Sequence, residues 1–131
     1  MDKKYTLEFH HIGKPITQVN DGERFSPLFG MYTIDGENRD LHIQHHRFEP
    51  NSPLNENIRN QIHIAFKTNN IEEALKDKEI IMPLYEPFHG YKCAMILLDG
   101  VPIEIIETTL SEEQLWDKGN YKGGKLYPDE K

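Results

Sequence analysis

Residues 61–67 alternate strictly between apolar and other positions. Ile62, Ile64 and Phe66 are large and apolar, with His63, Ala65 and Lys67 between them. A period of two is that of a β-strand with two distinct faces, so His63 lies opposite the three large apolar groups. The pattern then changes. Asn69 and Asn70 can cap a helix over residues 71–78, whose apolar members are Ile71, Ala74 and Leu75. Residues 80–84 read as a strand ending near Pro83, and residues 86–90 as a loop. Residues 91–98 read as a buried strand, Asp99-Gly100 as a tight turn and residues 101–107 as the returning strand. Strand, helix and three strands is the predicted order of residues 61–107. Ser111-Glu112-Glu113-Gln114 is a capping-box pattern that opens a short helix through Trp116. The charged tail, 119–131, is expected at the surface.

The first half is less regular. Residues 7–12 read as a strand, broken by Pro15 and Asn20-Asp21-Gly22. Residues 18–30 are rich in turn formers and show no helical period. Residues 31–34 form a short β-rich run, Asp35-Gly36 a hairpin-type turn, and residues 41–48 the next strand. Residues 49–60 carry Pro50 and Pro53 and read as a polar connection.

At 131 residues and 15.4 kDa the chain is expected to be one domain, 1–131, long enough to bury roughly two-thirds of its unfolded surface. A net charge of −7 argues against nucleic acid as a partner, because phosphates need a basic face. No 18-residue apolar run suits a membrane span, and the N-terminus has no apolar signal-peptide core. Cys93 is the single cysteine, so no intrachain disulfide can form. A cytoplasmic location is the expectation that follows.

Seven histidines make metal chemistry worth weighing. His42, His45 and His46 crowd one predicted strand, and His10 and His11 lie on another. Strand parity puts His11 with Leu7 and Phe9, and turns His10 the other way. Glu104 interrupts an apolar run, VPIEIIE, where an unpaired carboxylate facing a closed interior is very costly. A metal, a cationic partner or a water-filled cavity would offset that cost, and so would a strand whose carboxylate faces solvent. Cys93 is most simply a small core residue. Tyr85, Glu86 and His89 stand on a segment bounded by proline and glycine that could border a binding site. A jelly-roll metal site is the nearest rival fold, but Gln44 stands where its second histidine belongs.

HIAFKTNNIEEAL, DGVPIEIIE and FHHIGKP resemble the module openings and closing segment of the vicinal oxygen chelate superfamily, which includes glyoxalase I, extradiol dioxygenases and bleomycin-resistance proteins. SPLFGMYT, HRFEP and YEPFHGY are similar to segments of a glyoxalase-like subgroup. The resemblance implies an α+β fold of paired βαβββ modules forming a curved mixed sheet. Module one would span about residues 5–50, with its helix reduced or missing, and module two about 61–107, followed by a C-terminal helix and tail at 108–131. It maps His11, His63 and Glu104 onto the family's metal positions, with His46 as the choice for a module-one contribution. Tyr85, Glu86 and His89 become candidates for substrate binding. A divalent ion (Zn, Ni, Mn, Fe or Co) is implied, as is a homodimer. The implied activity is that of a metal-dependent lyase or isomerase that chelates a small oxygen-rich metabolite, with Glu104 catalytic. The alternative is a metal-free protein of the same fold that binds or sequesters a small molecule.

Overall fold

The strand predicted at residue 61 lies at the middle of the molecule. The structure is a computed structural model that describes residues 4–36 and 40–116. Within it, β5 (His63–Lys67) pairs antiparallel with β1 (Glu8–Pro15). From this join the same arrangement runs outward on both sides. On one side β1 pairs parallel with β4 (Ile43–Phe48), followed by β3 (Met31–Asp35) and β2 (Arg24–Ser26). On the other, β5 pairs parallel with β8 (Val101–Thr108), followed by β7 (Tyr91–Leu98) and β6 (Glu79–Phe88). The result is one curled, mixed, eight-stranded sheet of order β2-β3-β4-β1-β5-β8-β7-β6. The predicted α+β class and curved sheet are observed.

Among the described residues three five-residue helices decorate the sheet: α1 (Glu56–Asn60), α2 (Ile71–Leu75) and α3 (Glu112–Trp116). The Asn70 side chain caps α2 by accepting from the Glu73 N–H, and Glu107 Oε1 accepts the Ile71 N–H. The predicted capping box at α3 is present in both directions: the Gln114 N–H donates to Ser111 Oγ, and the Ser111 N–H donates to Gln114 Oε1. Among the described residues no helix is long and apolar enough to cross a membrane.

The two faces of the sheet carry separate apolar clusters, as the alternation demands. Phe66, Ile96, Ile103 and Ile105 pack beneath Ile71 and Ala74 of α2. The opposite face carries Ala65, Met82, Cys93, Met95 and Ile106, clustered with Leu54 and with Ile58 of α1. Burying each large aliphatic side chain contributes about 1.5–3 kcal/mol.

Several predicted boundaries differ. No helix lies between β1 and β2, so module one is abbreviated as expected, but the turn-rich stretch contains the short strand β2. The helix α1 lies within the expected connection at 49–60, capped by Asn55, whose Oδ1 accepts the Asn57 N–H. The predicted helix at 71–78 stops at Leu75, and Asp77 takes a positive φ of 61°. Residues 86–90 are not a loop, because β6 runs on to Phe88. Pro83 and Pro87 are tolerated there since β6 is an edge strand with three register shifts. The Asp99-Gly100 turn is as expected, with both residues at positive φ. β3 runs one residue beyond the expected end, to Asp35, and β4 begins at Ile43 rather than at residue 41. The expected surface tail, 119–131, lies outside the described residues.

Candidate metal site

The cavity face of the central strands gathers three of the predicted residues. His11 on β1, His63 on β5 and Glu104 on β8 each offer a donor atom, and these atoms lie within 4.8 Å of one another. His11 Nε2 is 3.2 Å from Glu104 Oε1, and His63 Nε2 is 3.3 Å from the same oxygen. The side chains are 4%, 8% and 13% exposed respectively.

Register explains the convergence. Ala65 lies between His11 on one side and Glu104 on the other. Gly13 lies beside His63, and a Cβ built on Gly13 would sit 2.0 Å from His63 Cε1. The join between the modules relates Gly13 to Ala65 and His11 to His63, so each histidine is paired with the small residue of the other module. The same relation pairs Gln44, opposite Gly13, with Glu104, opposite Ala65. Gln44 borders the cavity and donates to Asp35 Oδ1 at 3.4 Å. Its place opposite Gly13 was the available signal, but that register is not visible from strand parity alone.

His46 is not one of the three donors. It is buried beside them, its ring stacked on His63 at 5.7 Å between centroids, with Nδ1 3.0 Å from Thr33 Oγ1. Burial, then the neighbouring His63, lower its pKa to about 3, so it is neutral at physiological pH. His42 is exposed. Tyr85 borders the cavity, edge-on to Phe29 at 5.6 Å, whereas Glu86 and His89 are exposed and do not border it. Arg47, adjacent to this strand's histidines, pairs with Glu23 at 2.8 Å.

His10 departs from the parity expectation. The β1–β5 register slips between Phe9 and His11, so His10 is the extra residue of a bulge. Phe9 pairs with Phe66, whose side chain packs on the α2 side, yet His10 and His11 are both buried and both border the cavity. His10 Nδ1 is 2.8 Å from His11 Nδ1, and His10 Nε2 is 3.1 Å from Glu112.

The remaining cavity, about 130 Å³, is walled mainly by apolar groups such as Met31, Phe48, Leu54, Ile58, Met82 and Met95. Within it, burial works against ionisation of Glu104. The hydrogen bonds and charge of His11 and His63 outweigh that and hold its carboxyl well below the usual carboxylate range. Burial first, and then the Glu104 carboxylate, push the Cys93 thiol up.

A hypothetical protein of Bacillus halodurans C-125 shares this fold. The two structures superpose with a TM-score of 0.61 at 21% identity, over 83% of this chain and 98% of that one. At that identity the likeness concerns the fold alone. No protein-family profile matches the chain, and no curated protein matches its sequence.

The donor set itself is chemically selective. Two imidazole nitrogens and one carboxylate oxygen suit Zn²⁺ and its first-row neighbours. Around an ion with bonds of about 2.0–2.1 Å, tetrahedral donors stand about 3.3 Å apart. The two measured contacts match that spacing. These three residues could hold a metal ion.

Proposed function

We propose that this chain is a metal-dependent, glyoxalase-like lyase or isomerase of the vicinal oxygen chelate type. The observation that carries the reading is the meeting of His11 and His63 on one oxygen of Glu104, at 3.2 and 3.3 Å, inside an apolar cavity. His11, His63 and Glu104 would hold the ion, which could be Zn²⁺, Ni²⁺, Mn²⁺, Fe²⁺ or Co²⁺. When bound, such an ion supplies a Lewis acid for neighbouring substrate oxygens. Gln44 brings a neutral amide to the same cavity. The methionine, leucine and phenylalanine walls would take up an apolar body and exclude water from the reacting end. The substrate is therefore a small molecule with adjacent oxygens at one end and little charge elsewhere. A homodimer belongs to the same reading and is checked by sedimentation.

One observation favours a second reading. The two histidines already satisfy Glu104 without an ion. A metal-free protein that binds or sequesters a small molecule would need nothing more. Elemental analysis of untagged protein separates the two, with about one equivalent of metal per chain expected for the enzyme. Glu104→Gln should abolish metal binding while leaving the fold intact. Protein that holds no metal and gains no melting temperature with Zn²⁺, Ni²⁺, Mn²⁺, Fe²⁺ or Co²⁺ would leave only the sequestering role.

A further inference from the structure

We infer that the contact between Phe29 and Tyr85 is the wall that sets substrate size, and that it limits the ligand's apolar body to about six carbons, one benzene ring. This deepens the metal-dependent reading above. Only the chelating end of the ligand rests on that reading; the size limit rests on the cavity.

An open sheet has two edges, and the backbone ladder here ends at β2 on one side and at β6 on the other. Curling brings those edges toward each other across the cavity. Phe29 lies in the turn at residues 27–30, between β2 and β3, and Tyr85 lies on β6. Their rings meet edge-on, at 86° and 5.6 Å between centroids. That arrangement is favourable for an aromatic pair and leaves no room for a third ring between them. Both rings also pack on the buried cluster whose Met31, Met82 and Met95 line the cavity. Side chains thus join the two edges of the sheet where its backbone hydrogen bonds stop.

Both sides of the contact are anchored. Ser52 Oγ donates to the Phe29 carbonyl at 2.5 Å, and the Glu49 N–H donates to the Gly30 carbonyl at 2.8 Å. Gly30 has a φ of 56°, and a Cβ there would sit 3.4 Å from Glu49 Cβ and Ser52 Cα. The turn is therefore fastened to the segment that leads into α1. On β6, the pairing with β7 shifts register on either side of Tyr85. Such irregularities bend a strand and raise its twist, which carries Tyr85 over the cavity toward Phe29.

The cavity behind this wall measures about 130 Å³. An apolar cavity of about 150 Å³ stays dry and binds benzene. One ring, or a branched chain of similar bulk, fills the available space. Fused rings and long chains need the space that Phe29 and Tyr85 occupy.

Benzene and naphthalene measure the size limit without engaging a metal. Proton–carbon NMR of the Met31, Met82 and Met95 methyl groups reports their entry. Overpacking by the second ring should make wild-type protein prefer benzene at least about tenfold. Phe29→Ala and Tyr85→Ala should each reverse that preference. Tyr85→Phe keeps the ring and should keep the preference. Tyr85→Leu replaces Tyr85→Ala if the alanine variant does not fold. A wild type that binds neither compound, or both equally, would overturn the inference. So would a preference that survives removal of both rings, or one lost in Tyr85→Phe. Benzohydroxamic acid adds two neighbouring oxygens to the same ring, and zinc should tighten its binding at least about tenfold. A benzene preference that responds to Phe29→Ala and Tyr85→Ala, with no gain from zinc, would uphold the wall and overturn only the metal reading.

Discussion

Gly13→Ala inserts one methyl group where β1 runs beneath His63. The new carbon would lie 2.0 Å from His63 Cε1, 2.4 Å from Nε2 and 2.6 Å from Nδ1. Ordinary contact begins at 3.4 Å, so the ring must retreat by about 1.4 Å. The ring is buried and stacked on His46, so that retreat disturbs packing on its far side as well. Overpacking of this kind costs about 1–3 kcal/mol. Gly13 is not among the glycines at positive φ, so alanine meets no backbone strain. It regains about 0.4–1 kcal/mol by restricting the unfolded chain. The expected net loss is about 1–2 kcal/mol, several degrees of melting temperature for a domain of this size. Metal binding should suffer far more. A ligand displaced by about 1.4 Å falls well outside the roughly 0.2 Å tolerance of a coordination bond, so zinc affinity should fall more than about 100-fold. Urea denaturation of the metal-free protein and zinc competition measure the two effects separately. The decisive comparison is a double-mutant cycle with His63→Ala, which removes the ring that Gly13→Ala strikes. In that background Gly13→Ala should no longer destabilise and should gain about 0.4–1 kcal/mol. Additive stability losses, or a Gly13→Ala variant that holds zinc as tightly as the wild type, would refute the steric argument.

Ala65, fully buried between His11 and Glu104, is the counterpart of Gly13. Ala65→Val should cost about 1–3 kcal/mol in urea denaturation and weaken zinc binding, and an unchanged affinity would count against the packing of those two side chains. His46 has its pKa lowered to about 3 in the folded protein, against about 6.5 unfolded. A depressed folded value means that its contribution to stability is complete above pH 6.5 and is lost as pH falls from there toward 3. His46→Gln should therefore flatten the loss between pH 6.5 and 4.5 by up to about 1.4 kcal/mol per pH unit. Parallel slopes for the two proteins would show that His46 is not buried neutral. The Cys93 thiol, buried and pushed up, should resist iodoacetamide at pH 8 in the native protein and react once unfolded. Reaction of the native protein at the rate of a free thiol would place that side chain at the surface.

Local pattern carried much of the fold. Alternation around His63 and Glu104 put both on the cavity face, because side-chain direction along a strand is a local property. The capping box at Ser111 and the paired turn residues at Asp99-Gly100 declared themselves in the same way. The abbreviated first module was also visible, since residues 18–30 lack any helical period.

Parity failed where one residue was added. His11 reaches the site through a bulge that the sequence does not announce, and the same bulge turns His10 inward instead of away. The crowded histidines at 42–46 resolved only with the register of β4 against β1 and β3, which puts Gln44 opposite Gly13 and His46 opposite Thr33, with its ring stacked on His63. Glu112 lies 102 residues from its partner His10, a separation beyond any local pattern. The sequence by itself determined which faces of individual strands are apolar and which carry donors, because those are properties of neighbouring residues. Which donors meet was decided by strand order, register and one bulge, because pairing between distant strands is a global minimum of packing and backbone hydrogen bonding.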